Sequence, residues 1–532
     1  MAWAFMPAIQ MVIGLLVVVV LIAWLAAKLK LPYPILLVIG GLALSLVDGL
    51  PRAVLAPEVI SLLLLPPLVF YAALLTSWRD FKSNAKPITL LALGLVIATS
   101  LCVAVVCKWF VPGFTWPAAF VIGAILSPTD TIAAVAVAKW LKVPKRVVTI
   151  LEGESMMNDA AALVAYRLAV AAVVTGAFSA PRAGVSLLIV SVGGIVVGLL
   201  AGLLIAWIAP RVKDVTAETA GSLLAPYVAY LAADAFGFST VLALCAAGLL
   251  LSRRLPTVCT GPTRLRIFAA WDTFVFLLNG LAFILIGLNL PVILETLAPR
   301  YSNGRLVAYA TLVAAVTIGV RMGGVFFIEW ATRVATGLAT RRPQTRQPTK
   351  VTFVVAWTGM RGVVSLAAAL ALPTVARGEP FPARDLIIFL TFCVILATLV
   401  LQGLSLPFII RRLGLDVGVA ADDHEELVAR HAAALAAVER LTVLEGEGAL
   451  PPHVLDRTRA AYDDRVQFLV RQIIDGAGDA CTLYDSRDHL ARDLLGAERE
   501  AIILLRDRDM IGDETLRRLQ AELDLEESRL CG

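Results

Sequence analysis

Residues Phe120–Trp140 read FVIGAILSPTDTIAAVAVAKW, an apolar stretch that encloses a polar centre around Pro128. Proline removes one backbone N–H, and its ring clashes with the preceding helical turn. Neighbouring polar side chains, here Thr129, Asp130 and Thr131, can satisfy the backbone groups that such a break frees. Broken membrane helices are tolerated where they line a cavity, and their carbonyl oxygens can coordinate a cation. The stretch therefore predicts a broken transmembrane helix, in which Asp130 neutralises the positive end of the half-helix after the break.

The rest of the chain has the composition of a polytopic helical membrane protein. Its 532 residues are 59% hydrophobic and 16% charged, with a mean hydropathy of +0.84. Apolar runs of about 20 residues, long enough to cross a bilayer, recur until about residue 410. The short alternating segments of a membrane β-barrel are absent from the sequence. We predict an all-α fold of about thirteen transmembrane helices, at about 8–27, 34–48, 58–75, 88–111, 117–138, 147–175, 184–209, 218–236, 238–251, 268–290, 305–331, 351–375 and 386–410.

Lysine and arginine concentrate in alternate loops between these spans, for example Lys139, Lys142 and Lys145 in one loop. Cytoplasmic loops carry this excess, so we expect the N-terminus outside the plasma membrane and the C-terminus in the cytoplasm. The net charge of +5 requires no nucleic-acid partner, because the basic residues lie in short loops beside the bilayer. The loops of the opposite set hold only Arg52, Arg182, Arg300, Arg305, Arg377 and Arg384.

The composition changes after Arg412, where Glu, Asp and Arg become frequent. Helical patterns run through 425–445, 454–474 and 490–530, and all four histidines lie in this region without a metal-ligand spacing. We therefore predict two domains, a transmembrane domain over 1–412 and a cytoplasmic helical domain over 413–532.

The sixth span contains LEGESMMNDAAALVAY at 151–166, which places several polar residues in the middle of the membrane. On a helix, Ser155 and Asp159 share a face, while Glu154 and Asn158 form the neighbouring stripe. A charged residue at the bilayer centre costs roughly 2.5–3.5 kcal/mol, so such residues need a partner, a proton or a water-filled cavity. We interpret Asp159 as the functional carboxylate and Glu154 as half of a structural ion pair.

The twelfth span, VTFVVAWTGMRGVVSLAAALALP at 351–373, carries Arg361 between Gly359 and Gly362. Glycines permit unwound backbone, so a second broken helix is predicted here. The fifth span of the first six and the fifth of the last six are both interrupted and run in opposite directions, which is typical of inverted repeats. We predict a structural ion pair between Glu154 and Arg361. Arg321, also within a span, has no assigned partner.

The seventh span links the two repeats in this scheme. Its glycines Gly194, Gly198 and Gly202 recur every four residues. Small residues at this spacing let helix backbones approach closely in a membrane, so they predict close helix packing.

The motifs SPTDT, GESMMND and GMRG together resemble the monovalent cation/proton antiporter family, specifically its electroneutral sodium/proton exchanger branch of bacterial type. The resemblance implies thirteen spans, a homodimer, and a core domain that moves against a dimerisation domain. It implies that Asp159 binds Na⁺ or protons in turn, with Ser155 contributing its side chain and Thr129 its backbone. The pair Asn158–Asp159 together with Arg361 resembles the electroneutral branch. One departure is that the third span, LPPLVFYAALLTSW, offers Tyr71, Ala72 and Ala73 and no carboxylate where some relatives carry an acidic residue.

The predicted function is secondary-active sodium/proton antiport by alternating access at Asp159. Sodium prefers oxygen ligands, and a single carboxylate that exchanges H⁺ for Na⁺ carries the same charge in both directions, which predicts electroneutral one-for-one exchange. Potassium/proton antiport is the alternative within this mechanism; a non-transporting membrane sensor and a channel are alternatives of other classes. The sequence shows no hydrolytic enzyme motif, and we expect no cofactor besides the transported ions.

Overall fold

The computed structural model describes residues 2–29, 33–46, 57–76, 82, 85–130, 145–176, 180–340, 349–414, 419–446 and 452–475, with scattered positions between 494 and 523. The chain divides into two compact units, Met1–Val417 and Gly418–Gly532. The domain boundary predicted between residues 412 and 413 falls in the last turn of a helix that continues to Leu413.

The first unit is built from helices, with one short β-hairpin. The hairpin pairs β1 (Val375–Ala376) with the antiparallel strand β2 (Glu379–Pro380). A 3₁₀ turn occupies Ala209–Arg211. The helices are α1 (Ala2–Leu29), α2 (Tyr33–Ser45), α3 (Pro57–Leu75), α4 (Ala85–Phe110), α5 (Trp116–Ile125), α6 (Lys145–Thr175), α7 (Ala180–Ile208), α8 (Val215–Ala235), α9 (Thr240–Val258), α10 (Gly261–Leu297), α11 (Asn303–Thr340), α12 (Thr349–Trp357), α13 (Val363–Leu370) and α14 (Arg384–Leu413).

This architecture confirms the prediction of an all-α polytopic membrane fold. Within the described residues, seven helices are long and apolar enough to cross a membrane: α1, α4, α6, α7, α10, α11 and α14. The eighth and ninth predicted spans are separate helices, because the chain turns at Gly237, which has a φ of +68° that glycine adopts without strain. The count of thirteen spans stays a prediction.

Helix α6 contributes to three buried apolar clusters along its length. Its first turns, with Leu151, pack in a cluster shared by α1, α2, α3, α4, α10, α11, α12, α13 and α14. Ala160 packs in a second cluster with α3, α7, α8, α9 and α10. Ala169 and Val173 pack in a third with α4, α5, α10, α11, α13 and α14. The polar residues of α6 therefore lie on a helix that is packed on several sides.

The predicted close packing of the seventh span is confirmed at the crossing of α7 and α9. A Cβ atom added to Gly194 would overlap the backbone of Ser239, and one added to Gly198 would overlap the backbone of Ala243. Gly202, one turn farther along, lies less closely against Ala247, whose Cα would be 3.2 Å from an added Cβ. The two backbones therefore approach to a distance that only glycine on α7 allows.

We expect Gly198→Ala to destabilise the protein by about 1–3 kcal/mol, because the added methyl group forces α7 away from α9. The matched control is Gly319→Ala on α11, where nothing lies within 4 Å of an added Cβ. Both changes gain the same helix propensity, so the difference between their melting temperatures in detergent measures the crossing alone. Equal melting temperatures would contradict the close approach.

The second unit contains α15 (Val419–Gly446) and α16 (Pro452–Asp475), which pack against each other. Arg459 on α16 donates to Glu445 on α15 at 2.6 Å. The helices correspond to the first two helical patterns predicted after Arg412, while most of the third pattern, 490–530, lies outside the described residues.

Candidate functional site: two crossed broken helices

The break predicted at Pro128 is present. Helix α5 ends at Ile125, and the chain is non-helical from Leu126 to Asp130. The residue before a proline is disfavoured in helical conformation, which explains why the helix ends ahead of Ser127. The Ser127 hydroxyl donates back to the Ala124 carbonyl at 2.8 Å and so satisfies one of the freed oxygens. Thr131, which the sequence analysis places in the same break, lies outside the described residues.

The second break is also present, between α12 and α13. Residues 358–362 are non-helical, and the Thr358 hydroxyl donates to the Val355 carbonyl at 3.0 Å. The two breaks touch each other through their backbones, since the Asp130 N–H donates to the Met360 carbonyl at 2.8 Å. The two breaks therefore meet at their unwound centres, which brings the ends of α5 and α12 and the start of α13 to one place.

Arg361 satisfies the carbonyl end of α5. Its Nη1 donates to the carbonyl oxygens of Ser127 at 2.5 Å and Pro128 at 2.9 Å, and the side chain is 1% exposed. Its backbone N–H donates to the hydroxyl of Thr398 on α14 at 3.1 Å. A cation is favoured at the negative end of a helix, so the guanidinium neutralises the end of α5.

Asp130 lies against the start of α13. Its carboxylate occupies the space that a side chain at Gly362, the N-cap of α13, would require. Asp130 is predicted to neutralise the half-helix that follows its own break, but residues 131–144 lie outside the described part of the chain. The contact with Gly362 supports a dipole role for Asp130 toward the other broken span.

Glu154 pairs with Arg321, so the predicted pair with Arg361 is wrong. Arg321 on α11 donates from Nη1 to Oε1 at 2.5 Å and from Nη2 to Oε2 at 3.2 Å, with both side chains almost fully buried. Its Nη2 also donates to the Val355 carbonyl at 3.1 Å. Arg361 is instead directed to the carbonyls of the first break. Gly359 lies directly against Arg321, which explains the glycine at that position.

Thr129 connects the first break to α6. The Ser155 hydroxyl donates to the Thr129 carbonyl at 2.9 Å, and the Asn158 amide donates to the Thr129 hydroxyl at 2.7 Å. The Thr129 hydroxyl in turn donates to Glu154 at 3.4 Å. Three predicted site residues on α6, namely Glu154, Ser155 and Asn158, thus hold Thr129 of the first break in position. The Asn158 Oδ1 atom is buried and accepts no hydrogen bond within the described part of the chain.

Asp159 lies next to Asn158 and one helical turn from Ser155 on α6. Among the residues that the structure describes, no donor forms a hydrogen bond with its carboxylate. Glu154 is engaged by an arginine and Asp130 lies at a helix start, whereas Asp159 is available to an ion. Sequence reasoning missed one contributor, Thr398, because a threonine in an apolar span gives no signal of its own.

Comparison with known proteins agrees with this arrangement. A family model described as sodium/hydrogen exchanger, transmembrane, matches residues 15–412. An uncharacterized Na⁺/H⁺ exchanger of Mycobacterium tuberculosis is 35% identical over 98% of this chain and 97% of that protein. A sodium, potassium, lithium and rubidium/H⁺ antiporter of Bacillus pumilus is 34% identical over 74% of this chain and 60% of that protein.

A solved structure, the sodium proton antiporter MjNhaP1 from Methanocaldococcus jannaschii, superposes with a TM-score of 0.61 at 23% identity. The match covers 77% of this chain and 99% of that protein, and it therefore shows the same fold. The predicted resemblance is confirmed by these matches, and the chain is a multi-pass membrane protein whose family exchanges monovalent cations for protons. With its two crossed broken helices and a match that spans the whole membrane unit, the chain belongs to the sodium/hydrogen exchanger family.

Proposed function

We propose that this chain exchanges Na⁺ for H⁺ across the plasma membrane, with Asp159 binding the two ions in turn. The observation that carries the proposal is the contrast between the carboxylates of the site. Glu154 is bound by Arg321, whereas Asp159, five residues later on the same helix, accepts no hydrogen bond from the described residues. A carboxylate without a fixed partner can exchange one small cation for another.

We place oxygen atoms suited to Na⁺ around the Asp159 carboxylate. Sodium prefers oxygen ligands, and the Ser155 hydroxyl, the Thr129 carbonyl and the unpartnered Asn158 Oδ1 all belong to the same connected group. We assign the Na⁺ site to Asp159, Ser155 and Thr129. Asn158 orients Thr129 through its amide and offers its oxygen to the ion.

The charge at the site makes the proposed exchange electroneutral. Asp130 at α13, Arg361 at α5 and the pair of Glu154 with Arg321 are fixed charges that take no part in the cycle. Asp159 then carries either one proton or one Na⁺, so each half-cycle moves the same charge. Voltage therefore has no effect on the proposed one-for-one exchange.

The proposal extends to assembly and orientation. The chain acts as a homodimer in which a core domain moves against a dimerisation domain. Its N-terminus lies outside the plasma membrane. Residues 413–532 form a helical domain in the cytoplasm. The asymmetric distribution of Lys and Arg supports this orientation.

Potassium is the second candidate substrate, since the antiporter of Bacillus pumilus is named for sodium, potassium, lithium and rubidium. The ligand types at Asp159 do not separate these ions, because all of them are bound by oxygen. A non-transporting sensor is the alternative of a different class, and the uncommitted carboxylate argues against it.

Reconstituted proteoliposomes test the proposal. A pH gradient is imposed, Na⁺, Li⁺ and K⁺ are added in turn, and the membrane potential is clamped with valinomycin in the Na⁺ and Li⁺ series. We expect Na⁺ to dissipate the gradient at a rate that the clamp leaves unchanged. A response to K⁺ alone would retain the mechanism and change the substrate, and a response that follows voltage would refute electroneutrality. Absence of a response to any of the three cations from folded protein would favour the sensor.

A further inference from the structure

Helix α10 carries a carboxylate, Asp272, that the crossed-helix site does not use. The side chain is exposed although α10 is among the helices apolar enough to cross a membrane. The hydroxyl of Tyr71 on α3 donates a short hydrogen bond to Asp272 Oδ1. Charged residues within transmembrane segments usually face the bundle interior or a water-filled cavity. An exposed Asp272 is therefore expected to face water and not lipid.

The position of Tyr71 is fixed by aromatic packing. Its ring stacks on Trp271 with 5.2 Å between ring centroids and 5° between planes, and Phe70 stacks on the same indole at 5.7 Å. Trp271 is fully buried, and Tyr71 is buried as well. Since the ring cannot shift, its hydroxyl holds the Asp272 carboxylate in one orientation.

Tyr71 connects Asp272 to the helix that carries the proposed exchange site, because α3 packs against α6. Tyr71 and Trp271 belong to the same buried cluster as Ala160, the residue after Asp159, and Met157 packs against that cluster. The Ser252 hydroxyl donates to the carbonyl of Thr76 just past α3, so the ends of α3 and α9 meet. Asp272 and Tyr71 lie toward this end of the bundle. The short loop between α9 and α10 is found here, and we call it the basic loop because it is flanked by Arg253, Arg254, Arg264 and Arg266.

We propose that Asp272, oriented by Tyr71, is a positioning residue that attracts an alkali cation on its way to Asp159 from the basic end of the bundle. The proposal rests on the proposed function. The cation first meets the negative charge of Asp272 beside Tyr71 and then reaches Asp159. Because Asp272 does not hold the ion during exchange, it affects the concentration of cation near Asp159 and leaves the exchange step unchanged.

The test measures initial rates of Na⁺-dependent H⁺ movement against Na⁺ concentration in oriented proteoliposomes. We expect Asp272→Asn to raise the KM for Na⁺ on the basic-loop side by about five- to twentyfold and to keep kcat within about twofold, because only ground-state attraction is lost. Asp272→Glu retains the charge and should restore the wild-type KM to within about threefold. Tyr71→Phe removes only the orienting hydrogen bond, so an intermediate KM is expected.

Asp214→Asn is the matched control. Asp214 caps α8 on the basic side of the membrane by accepting from the Ala217 N–H, and asparagine caps a helix equally well. The control removes the same charge, so its KM should stay at the wild-type value. Raising the ionic strength with choline should narrow the gap between wild type and Asp272→Asn, since screening weakens attraction to an exposed charge.

Each outcome has a separate meaning. An unchanged KM in folded Asp272→Asn, or a loss of kcat at constant KM, would overturn the role of Asp272. If Asp272→Asn fails to fold, an unchanged KM in folded Tyr71→Phe would overturn it instead. Failure of the proposed function is distinguished by the wild-type protein, which would then show no Na⁺-dependent H⁺ movement at all.

Discussion

Replacing Asp159 by asparagine is expected to abolish exchange, with a rate at least 100-fold below that of the wild type. The amide cannot take up a proton or pair electrostatically with Na⁺, so the site loses both of its exchanging ions at once. The side chain keeps its size, and among the described residues no hydrogen bond to the carboxylate is lost. The measurement is Na⁺-driven dissipation of a pH gradient in proteoliposomes, together with a melting curve that verifies folding.

Asp385→Asn provides the matched control for this substitution. Asp385 lies in the first turn of α14, is about half exposed, and lies 3.8 Å from the neighbouring Arg384. Removing this charge should leave exchange close to the wild-type rate. Retained exchange in Asp159→Asn would place the ion site on another carboxylate, and the mechanism proposed for Asp159 would be abandoned.

Arg321→Gln is expected to destabilise the protein by about 3–5 kcal/mol, because it leaves Glu154 buried without its cation. The pair is bidentate, and both side chains are almost inaccessible to solvent. Glu154→Gln should likewise destabilise the protein by leaving Arg321 unpaired. The double variant Glu154→Gln with Arg321→Gln removes both charges and should be more stable than the sum of the single changes predicts. Melting temperatures of the four proteins in detergent provide this double-mutant cycle.

A second double-mutant cycle, with Arg361 in place of Arg321, distinguishes the roles of the two arginines. Arg361 donates to the Ser127 and Pro128 carbonyls, so Arg361→Gln should destabilise the protein through the first break. The coupling energy between Arg361→Gln and Glu154→Gln should be well below the coupling energy between Arg321→Gln and Glu154→Gln. A larger coupling for Arg361 than for Arg321 would contradict the pairing seen in the structure and restore the pair predicted from sequence.

Much of the architecture follows from local sequence patterns. Apolar runs of membrane-spanning length indicate where the helices lie, and the glycine spacing of α7 indicates its close packing on α9. Pro128 in the fifth span and the glycines around Arg361 in the twelfth predict the two breaks, because proline and glycine act on the backbone at their own position. The shared face of Ser155 and Asp159 could be predicted for a similar reason, since residues four apart on one helix lie on one side. The role of Thr129 came from the resemblance to the family.

The partners of the buried charges depend on the tertiary structure alone. The sequence shows that Glu154, Arg321 and Arg361 lie within spans, but three helices have to pack before it is decided which arginine reaches the carboxylate. The contact of Asp130 with the start of α13 and the hydrogen bond from Tyr71 to Asp272 likewise join residues that are far apart in the chain. The sequence by itself determined the helices, their breaks and the polar stripe of α6, because these depend on periodicity and backbone chemistry. Only the packing of the helices decided which charges meet, because electrostatic pairing depends on distances across the bundle that no spacing along one helix encodes.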